Sequence, residues 1–363
     1  MGFELLHPKN DRDKWLRTIY QLPQALQDVH WTPDYMAAEE SRGHTPRLAT
    51  YTYRDYVVAQ PIIIRDVFPM EIGPVTAEPT IEDRPFWTCR DVSSPYGYGG
   101  PATNHGPQLY EWFNQAFTSW ALENRVVTEF CALHPFMTAH QLGLFKAVPT
   151  IHTVTRKHVV WIDLKGDFAE QYHANRKAGI KKAEREGISV VRDHQSDVFI
   201  KMYRLTMLRK QASARWYFAD EYIKALCDIG TVFYARIGAI VQSAALMLMM
   251  KDGTAYYHLA ANSDLYPRAC ANDLLVHEMA EFAVRNGCKR LHLGGGATSD
   301  PADPVFFFKS GFSDLRAPAM SYFQVFDEQT YAGLCAEKKR REVAETGTEF
   351  GTNFEPLYRR EAS

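Results

Sequence analysis

One order of elements is written twice along the chain, and that repetition restricts the folds open to it. In the first half, residues 48–53 and 56–64 are β-rich runs separated by Arg54-Asp55, a strand–turn–strand pattern. A Pro/Gly-rich stretch follows, Ser93-Ser94-Pro95-Tyr96-Gly97-Tyr98-Gly99-Gly100-Pro101. The spacing of Leu109, Trp112, Phe113, Ala116, Phe117 and Trp120 then predicts a helix, which passes through Glu123-Asn124 into a strand over 126–133. In the second half, strands over 232–237 and 240–250 flank Gly238, and a third covers 255–261. A helix over 273–286 buries Leu274, Leu275, Met279, Phe282 and Ala283, ends at Gly287, and leads to a strand over 289–293 before Gly294-Gly295-Gly296. Short local echoes accompany the shared order: Val57-Val58-Ala59-Gln60-Pro61 with Ala239-Ile240-Val241-Gln242-Ser243, and Trp120-Ala121-Leu122-Glu123-Asn124 with Phe282-Ala283-Val284-Arg285-Asn286.

These patterns predict an α/β protein made by tandem duplication of one mixed unit, each a sheet flanked by helices. Two unrelated α/β halves with generic patterns are the alternative. The expected divisions are 1–150, 151–328, and a C-terminal helix and tail over 329–363. The opening residues carry helical spacing at Trp15, Ile19, Leu22, Leu26 and Val29.

Composition excludes several classes. With 363 residues, 46% hydrophobic and 23% charged, the chain is neither disordered, collagen-like nor an extended coiled coil. A net charge of −2 gives no global basic field, so strong non-specific nucleic-acid binding is not expected. The six cysteines lack any CxxC spacing and read as reduced thiols, which suits the cytoplasm. The stretch from Met1 to Trp15 has no apolar run of the signal-peptide kind, and residues 244–250 are too short to span a bilayer. A cytoplasmic chain with at most peripheral membrane contact is expected. No HExxH or His/Cys ligand spacing points to a metal.

Four stretches could carry chemistry. Lys177, Lys181 and Arg185 recur every four residues in Asn175–Gly187, forming one basic stripe that could hold phosphates, or a solvated helix face partnered by Glu184 and Glu186. Lys309 stands among Phe306, Phe307, Phe308 and Phe312; it could stabilise an oxyanion in acyl transfer or contact a substrate phosphate, or its stem could merely cover the rings. Tyr96 and Tyr98 lie in the Pro/Gly loop, which could approach a ligand closely or serve as a connector. Finally, Arg268-Ala269-Cys270-Ala271-Asn272-Asp273 precedes a helix where GNAT transferases bearing coenzyme A carry Arg/Gln-x-x-Gly-x-Gly/Ala. Here the central glycine is Ala271 and the last position is Asp273, and an acid there repels a pyrophosphate.

Taken in order, Asn175–Gly187, Thr206-Met207-Leu208-Arg209, the run from Tyr256 to Ser263, and Phe308-Lys309-Ser310-Gly311-Phe312 resemble the Fem family of peptidyl and aminoacyl transferases, and more broadly the FemAB-like acyltransferases of the GNAT superfamily. The resemblance implies two tandem GNAT-like domains around a shared cleft. It implies transfer of an amino acid from aminoacyl-tRNA to an amine on a nucleotide-linked or lipid-linked cell-envelope precursor, with no further cofactor. By the same resemblance Lys309 would stabilise transition-state charge, Phe308 would position it, Arg209 would contact a diphosphate, and Tyr256 or Tyr257 would match an active-site tyrosine. The family's N-terminal phosphate-binding lysine has no counterpart in Thr32-Pro33-Asp34-Tyr35-Met36-Ala37-Ala38-Glu39, and the long coiled-coil arm of some members is absent. Two alternatives keep the fold: an N-acyltransferase using acetyl-CoA or acyl-CoA on an amino sugar or secondary metabolite, and a non-catalytic binding module.

Overall fold

The computed structural model describes residues 2–67, 89–193, 196–250, 253–263, 269–346 and 356–359. The chain divides into two compact units, neither continuous in sequence. The first comprises Met1–Pro23, His44–Thr155 and Met320–Ser363; the second comprises Gln24–Gly43 and Arg156–Ala319.

In the first unit, strands lie side by side in the order β1 (Gly2–Leu6), β2 (Thr45–Tyr53), β3 (Tyr56–Asp66), β4 (Arg90–Ser93), β6 (Val126–Ala132) and β13 (Arg316–Val325), with the short β5 (Ala102–Thr103) against β3. Tyr53 pairs with Tyr56 across the Arg54-Asp55 turn, where Arg54 takes the left-handed conformation at φ 55°. Strands β4 and β6 are parallel, so the chain must cross over between them. Helix α3 (Pro107–Glu123) makes that crossing and buries Leu109, Tyr110, Phe113, Phe117 and Ala121, one face of a 3.6-residue period. Phe113 and Phe117 stack with ring centres 5.6 Å apart.

The second unit repeats the plan. Its order is β8 (Ser189–Asp193), β9 (Thr231–Ile237), β10 (Ile240–Met249), β11 (Thr254–Asn262), β12 (Arg290–Gly294) and β7 (His152–Asp163). Again three antiparallel pairings precede one parallel pairing, here β11 with β12, and a final antiparallel one. Helix α8 (Ala271–Arg285) makes the crossing, with Leu274, Leu275, Met279, Ala280 and Ala283 buried. Two units with the same sequence of strand pairings are the duplication in three dimensions. The final strand is displaced in both: β13 follows the whole second unit in sequence, and β7 precedes it.

The structure departs from the sequence expectations at three places. The expected division near 150 falls beside β7, which carries the chain from one unit into the other. Strands β1, β4, β5, β7, β8 and β13 were not expected. The segment 24–43 belongs to the second unit, although its helical spacing continues that of α1 (Arg12–Gln21). Polar contacts fix it there. Asp28 is 1% exposed and accepts hydrogen bonds from the Tyr256 hydroxyl and from His30 N at 3.0 Å. The Tyr222 hydroxyl donates to buried Glu39 at 3.4 Å, and the Arg42 guanidinium sits 5.2 Å from the centres of the Phe218 and Tyr222 rings. No helix among the described residues is long and apolar enough to cross a membrane.

A buried carboxylate that loses one donor bears the desolvation cost of the empty acceptor. Tyr256→Phe is therefore expected to lower unfolding free energy by about 1–3 kcal/mol in a denaturant titration; an unchanged midpoint would show that Asp28 does not anchor this segment.

Candidate functional site

The second unit brings Lys157 and Lys309 together at one turn. Strands β11 and β12 run parallel as far as Tyr256 opposite His292, where their pairing stops. Beyond that point β11 continues to Asn262, while β12 ends at Gly294 and gives way to Gly295-Gly296. Gly294 has φ 81°, and a methyl group there would stand 3.1 Å from Lys309 Nζ. One at Gly295 would meet the His158 carbonyl at 3.0 Å and the Lys157 stem at 3.1 Å. Glycine is required because two lysines close on the backbone.

Helix α9 (Pro304–Ser310) delivers Lys309. Asp303 caps it, its Oδ1 accepting from Val305 N at 2.8 Å and Phe306 N at 3.1 Å, while Oδ2 accepts from Thr298 N at 2.9 Å. Lys309 Nζ donates to Gly295 O at 2.7 Å, and Lys157 Nζ donates to Gly296 O at 2.8 Å. Lys210 follows α6 (Ser196–Arg209) and completes the group. Burial, then the Lys157 charge, push Lys309 down to about 7, with Lys210 adding and Asp303 opposing. Burial and Arg215 likewise lower Lys157; burial and Arg209 lower Lys210. Asp303 opposes in both, but burial of its own carboxyl is outweighed by the bonds from Thr298, Phe306 and Val305, which hold it ionised below the usual range. Its oxygens serve the cap rather than an ion pair.

A polar rim lies on β10, β11 and α8. The Tyr257 hydroxyl donates to Asn272 Oδ1 at 3.3 Å, and its ring centre is 6.0 Å from Lys309 Nζ. Ser243 Oγ lies 2.9 Å from Asn272 Oδ1 and 3.0 Å from Asn262 Oδ1. Arg209 Nη2 donates to Asn262 O at 2.7 Å.

The residues singled out in sequence separate into groups. Lys309, Tyr257 and Arg209 stand on elements that meet near the end of β11. Tyr256 faces away and is committed to Asp28. Phe308 does not enclose Lys309: its ring lies under the Arg176 guanidinium at 4.7 Å and against Phe312 at 5.4 Å. Phe307 is 65% exposed, so the ring enclosure expected for Lys309 is replaced by the glycine turn. Lys177 and Lys181 lie on the solvent face of α5 (Ala174–Arg185), where Lys177 reaches only the Glu170 carbonyl at 3.4 Å. Their neighbour Arg176 points inward instead. Tyr96 and Tyr98 belong to the first unit, where Tyr98 meets His134 edge-on at 5.5 Å. Lys157 and Lys210 were missed because neither belongs to a motif; the one trace of Lys157 in sequence was the glycine triplet its stem lies along.

The stretch before α8 is occupied from within. Arg268 lies outside the described residues. Asp273 is 6% exposed and accepts from Arg176 Nη1 at 2.7 Å, and Gly179 of α5 lets the two helices close over it. Burial raises the Asp273 carboxyl, and the Arg176 hydrogen bond opposes the rise. A built-in carboxylate thus faces the first turn of α8. Among the described residues no three His, Cys, Asp or Glu side chains are grouped to hold a metal ion.

Comparison with known proteins agrees with this architecture. Residues 171–304 match the family described as an acetyltransferase (GNAT) domain, a match that ends at the first residue of α9. Among solved structures, FemX aligns with a TM-score of 0.66 at 10% identity, covering 92% of this chain and 99% of FemX. A conserved protein of unknown function from Bacteroides thetaiotaomicron aligns at 0.56, with 9% identity over 89% of this chain and 98% of that one. The C-terminal DUF2156 domain of a candidate lysylphosphatidylglycerol synthetase from Agrobacterium fabrum aligns at 0.52, with 12% identity over 87% of this chain and 92% of that one. No curated protein sequence matches the chain. At such identities the solved structures speak for the fold, and the matched domain speaks for the acyltransferase class. Residues 171–304, within the second unit, thus match an acetyltransferase (GNAT) domain, and the chain shares its tandem fold with FemX.

Proposed function

We propose that the protein moves an aminoacyl or acyl group onto an amine of a nucleotide-linked or lipid-linked cell-envelope precursor or a related metabolite, with aminoacyl-tRNA as the donor. The observation that carries this reading is Lys309, held by the Gly295 carbonyl where β11 and β12 part. In such a reaction the amine nitrogen bonds to the ester carbonyl carbon, and negative charge gathers on the carbonyl oxygen. A lysine fixed beforehand donates to that oxygen without reorganising, which is the most effective form of electrostatic stabilisation. Collapse breaks the carbon–oxygen bond of the ester, and the proton lost by the amine passes to the departing hydroxyl oxygen. No side chain is required as a base, and much of the acceleration comes from holding two substrates together.

The fold shared with FemX and with a candidate lysylphosphatidylglycerol synthetase domain supports an aminoacyl donor. Asp273 weighs against coenzyme A, because the carboxylate with its Arg176 partner stands where a pyrophosphate would need bare amides and positive potential.

Transfer of a radiolabelled amino acid from aminoacyl-tRNA to an amine acceptor is expected to fall about 10²–10³-fold in Lys309→Ala. Turnover equal to wild type would overturn the assignment; transfer from acyl-CoA but not from aminoacyl-tRNA would overturn the donor.

Stability should change the other way. Unfolded lysine titrates near ~10.4, whereas folded Lys309 titrates at about 7. Between these values the unfolded chain binds more protons, so this residue makes stability rise with pH. Its penalty is complete below about pH 7 and absent above ~10.4. Lys309→Met is expected to raise Tm at pH 6, with the gain shrinking toward pH 10. A lower Tm at pH 6 would contradict a desolvated ammonium.

A further inference from the structure

We infer that the outward face of α6, with the turn that follows it, is a docking surface for an anionic lipid bilayer. The inference goes beyond the proposed transfer and rests on it only for one consequence, that the acceptor is lipid-linked. It starts from the composition of one stretch. From Lys201 to Tyr217 the chain carries five lysine or arginine residues and no aspartate or glutamate, although the whole chain has a net charge of −2. The same stretch exposes apolar side chains: Leu205 is 64% exposed, Leu208 61% and Tyr217 42%. Lys201, Leu205 and Leu208 follow at steps of four and three residues, so they share one face of the helix.

The opposite face explains why this one is left outward. Phe199, Tyr203 and Thr206 are buried, and Thr206 Oγ1 accepts from Asn262 N at 3.1 Å. With the Arg209 bond to the Asn262 carbonyl, this fixes α6 to the end of β11, at the polar rim of the site. Past the helix, Gln211 takes a left-handed conformation at φ 47°. The Tyr203 hydroxyl then donates to Trp216 O at 2.9 Å and holds the short turn Ala214–Trp216 against α6. Arg204 pairs with Asp220, beyond the stretch, at 2.7 Å, while Lys201, Lys210 and Arg215 are exposed. Exposed leucine costs free energy in water, and a helix face that mixes leucine with lysine and arginine suits the boundary between acyl chains and headgroups. Trp216 and Tyr217 suit the headgroup level, and the cations suit anionic lipid phosphates. A nucleic acid would answer the charge but not the leucines; an apolar protein groove would answer the leucines but not the charge. Because α6 is bonded to the end of β11, a bilayer on its outer face delivers a lipid-linked amine to the unit that carries Lys309.

Co-flotation of the full chain with lipid vesicles tests the surface without requiring activity. Binding is expected to vesicles of equimolar phosphatidylglycerol and phosphatidylcholine, to weaken as salt is added, and to be much weaker on pure phosphatidylcholine. The double variant Leu205→Ser/Leu208→Ser is expected to bind about tenfold or more weakly, and Lys201→Gln about fivefold more weakly. Lys177→Gln/Lys181→Gln, on the exposed face of α5, is expected to bind as the wild type does. Circular dichroism at the assay temperature confirms that each variant is folded. Absence of binding to the anionic vesicles would overturn the inference, as would equal binding by the double leucine variant. An RNA hairpin that displaces the protein from vesicles, itself bound equally well by the double leucine variant, would assign the cations to nucleic acid and overturn it too. So would a dimer in sedimentation velocity that the double leucine variant abolishes, since a second copy would then cover this face. Amino-acid transfer by a protein with no affinity for anionic vesicles would sink this surface and leave the transferase reading intact; vesicle binding without transfer would do the reverse.

Discussion

Two ammonium groups bonded to adjacent carbonyls of one glycine turn, with a third cation beside them, create the chemical potential of this molecule. The arrangement is costly in isolation, since burial and mutual repulsion both favour the neutral amine. It persists because the backbone around it leaves little choice. Asp303 starts α9 at a fixed place, Gly294 bends through a left-handed conformation, and the end of β12 is pinned to β7. Desolvation and like-charge repulsion concentrated at one place are a common mark of a functional site.

The duplicated architecture provides this end of the sheet. In each unit three antiparallel pairings lead to a parallel one, and the parallel pair needs a crossover helix. In the second unit that crossover, α8, brings Asn272 under Tyr257, while the parting of β11 from β12 opens the edge where the glycines lie. The same helix carries Asp273, whose pairing with Arg176 ties α5 to α8 and, through the ring of Phe308, to α9. An acid that looked out of place in a phosphate-binding loop is therefore part of the frame that orients Lys309. On α5, Arg176 turns inward to this frame, and Lys177 and Lys181 turn out to water.

Much of the fold was legible because its signals are local. The β-rich runs over 48–53, 56–64, 232–237 and 240–250 are buried almost continuously, and the 3.6-residue period of α3 and α8 follows from the face each helix buries. The exchanged pieces were not legible. Nothing in the spacing from Trp15 to Val29 tells that Asp28 answers Tyr256, because that bond joins residues 228 positions apart. At the site, Lys309 stood out through its motif, although its surroundings are backbone carbonyls rather than phenyl rings. Lys157 and Lys210 lie on ordinary polar stretches of a strand and a helix end, and only the folded chain brings Lys157 against Gly295.

The most direct measurement is an NMR pH titration of the Lys309 side chain, followed through its Cε resonance, in the wild-type protein and in Lys157→Gln. The account expects a midpoint of about 7 in the wild type, moving upward once the neighbouring charge is removed. An ordinary lysine midpoint near ~10.4 in both proteins would contradict a crowded, desolvated cation at the glycine turn.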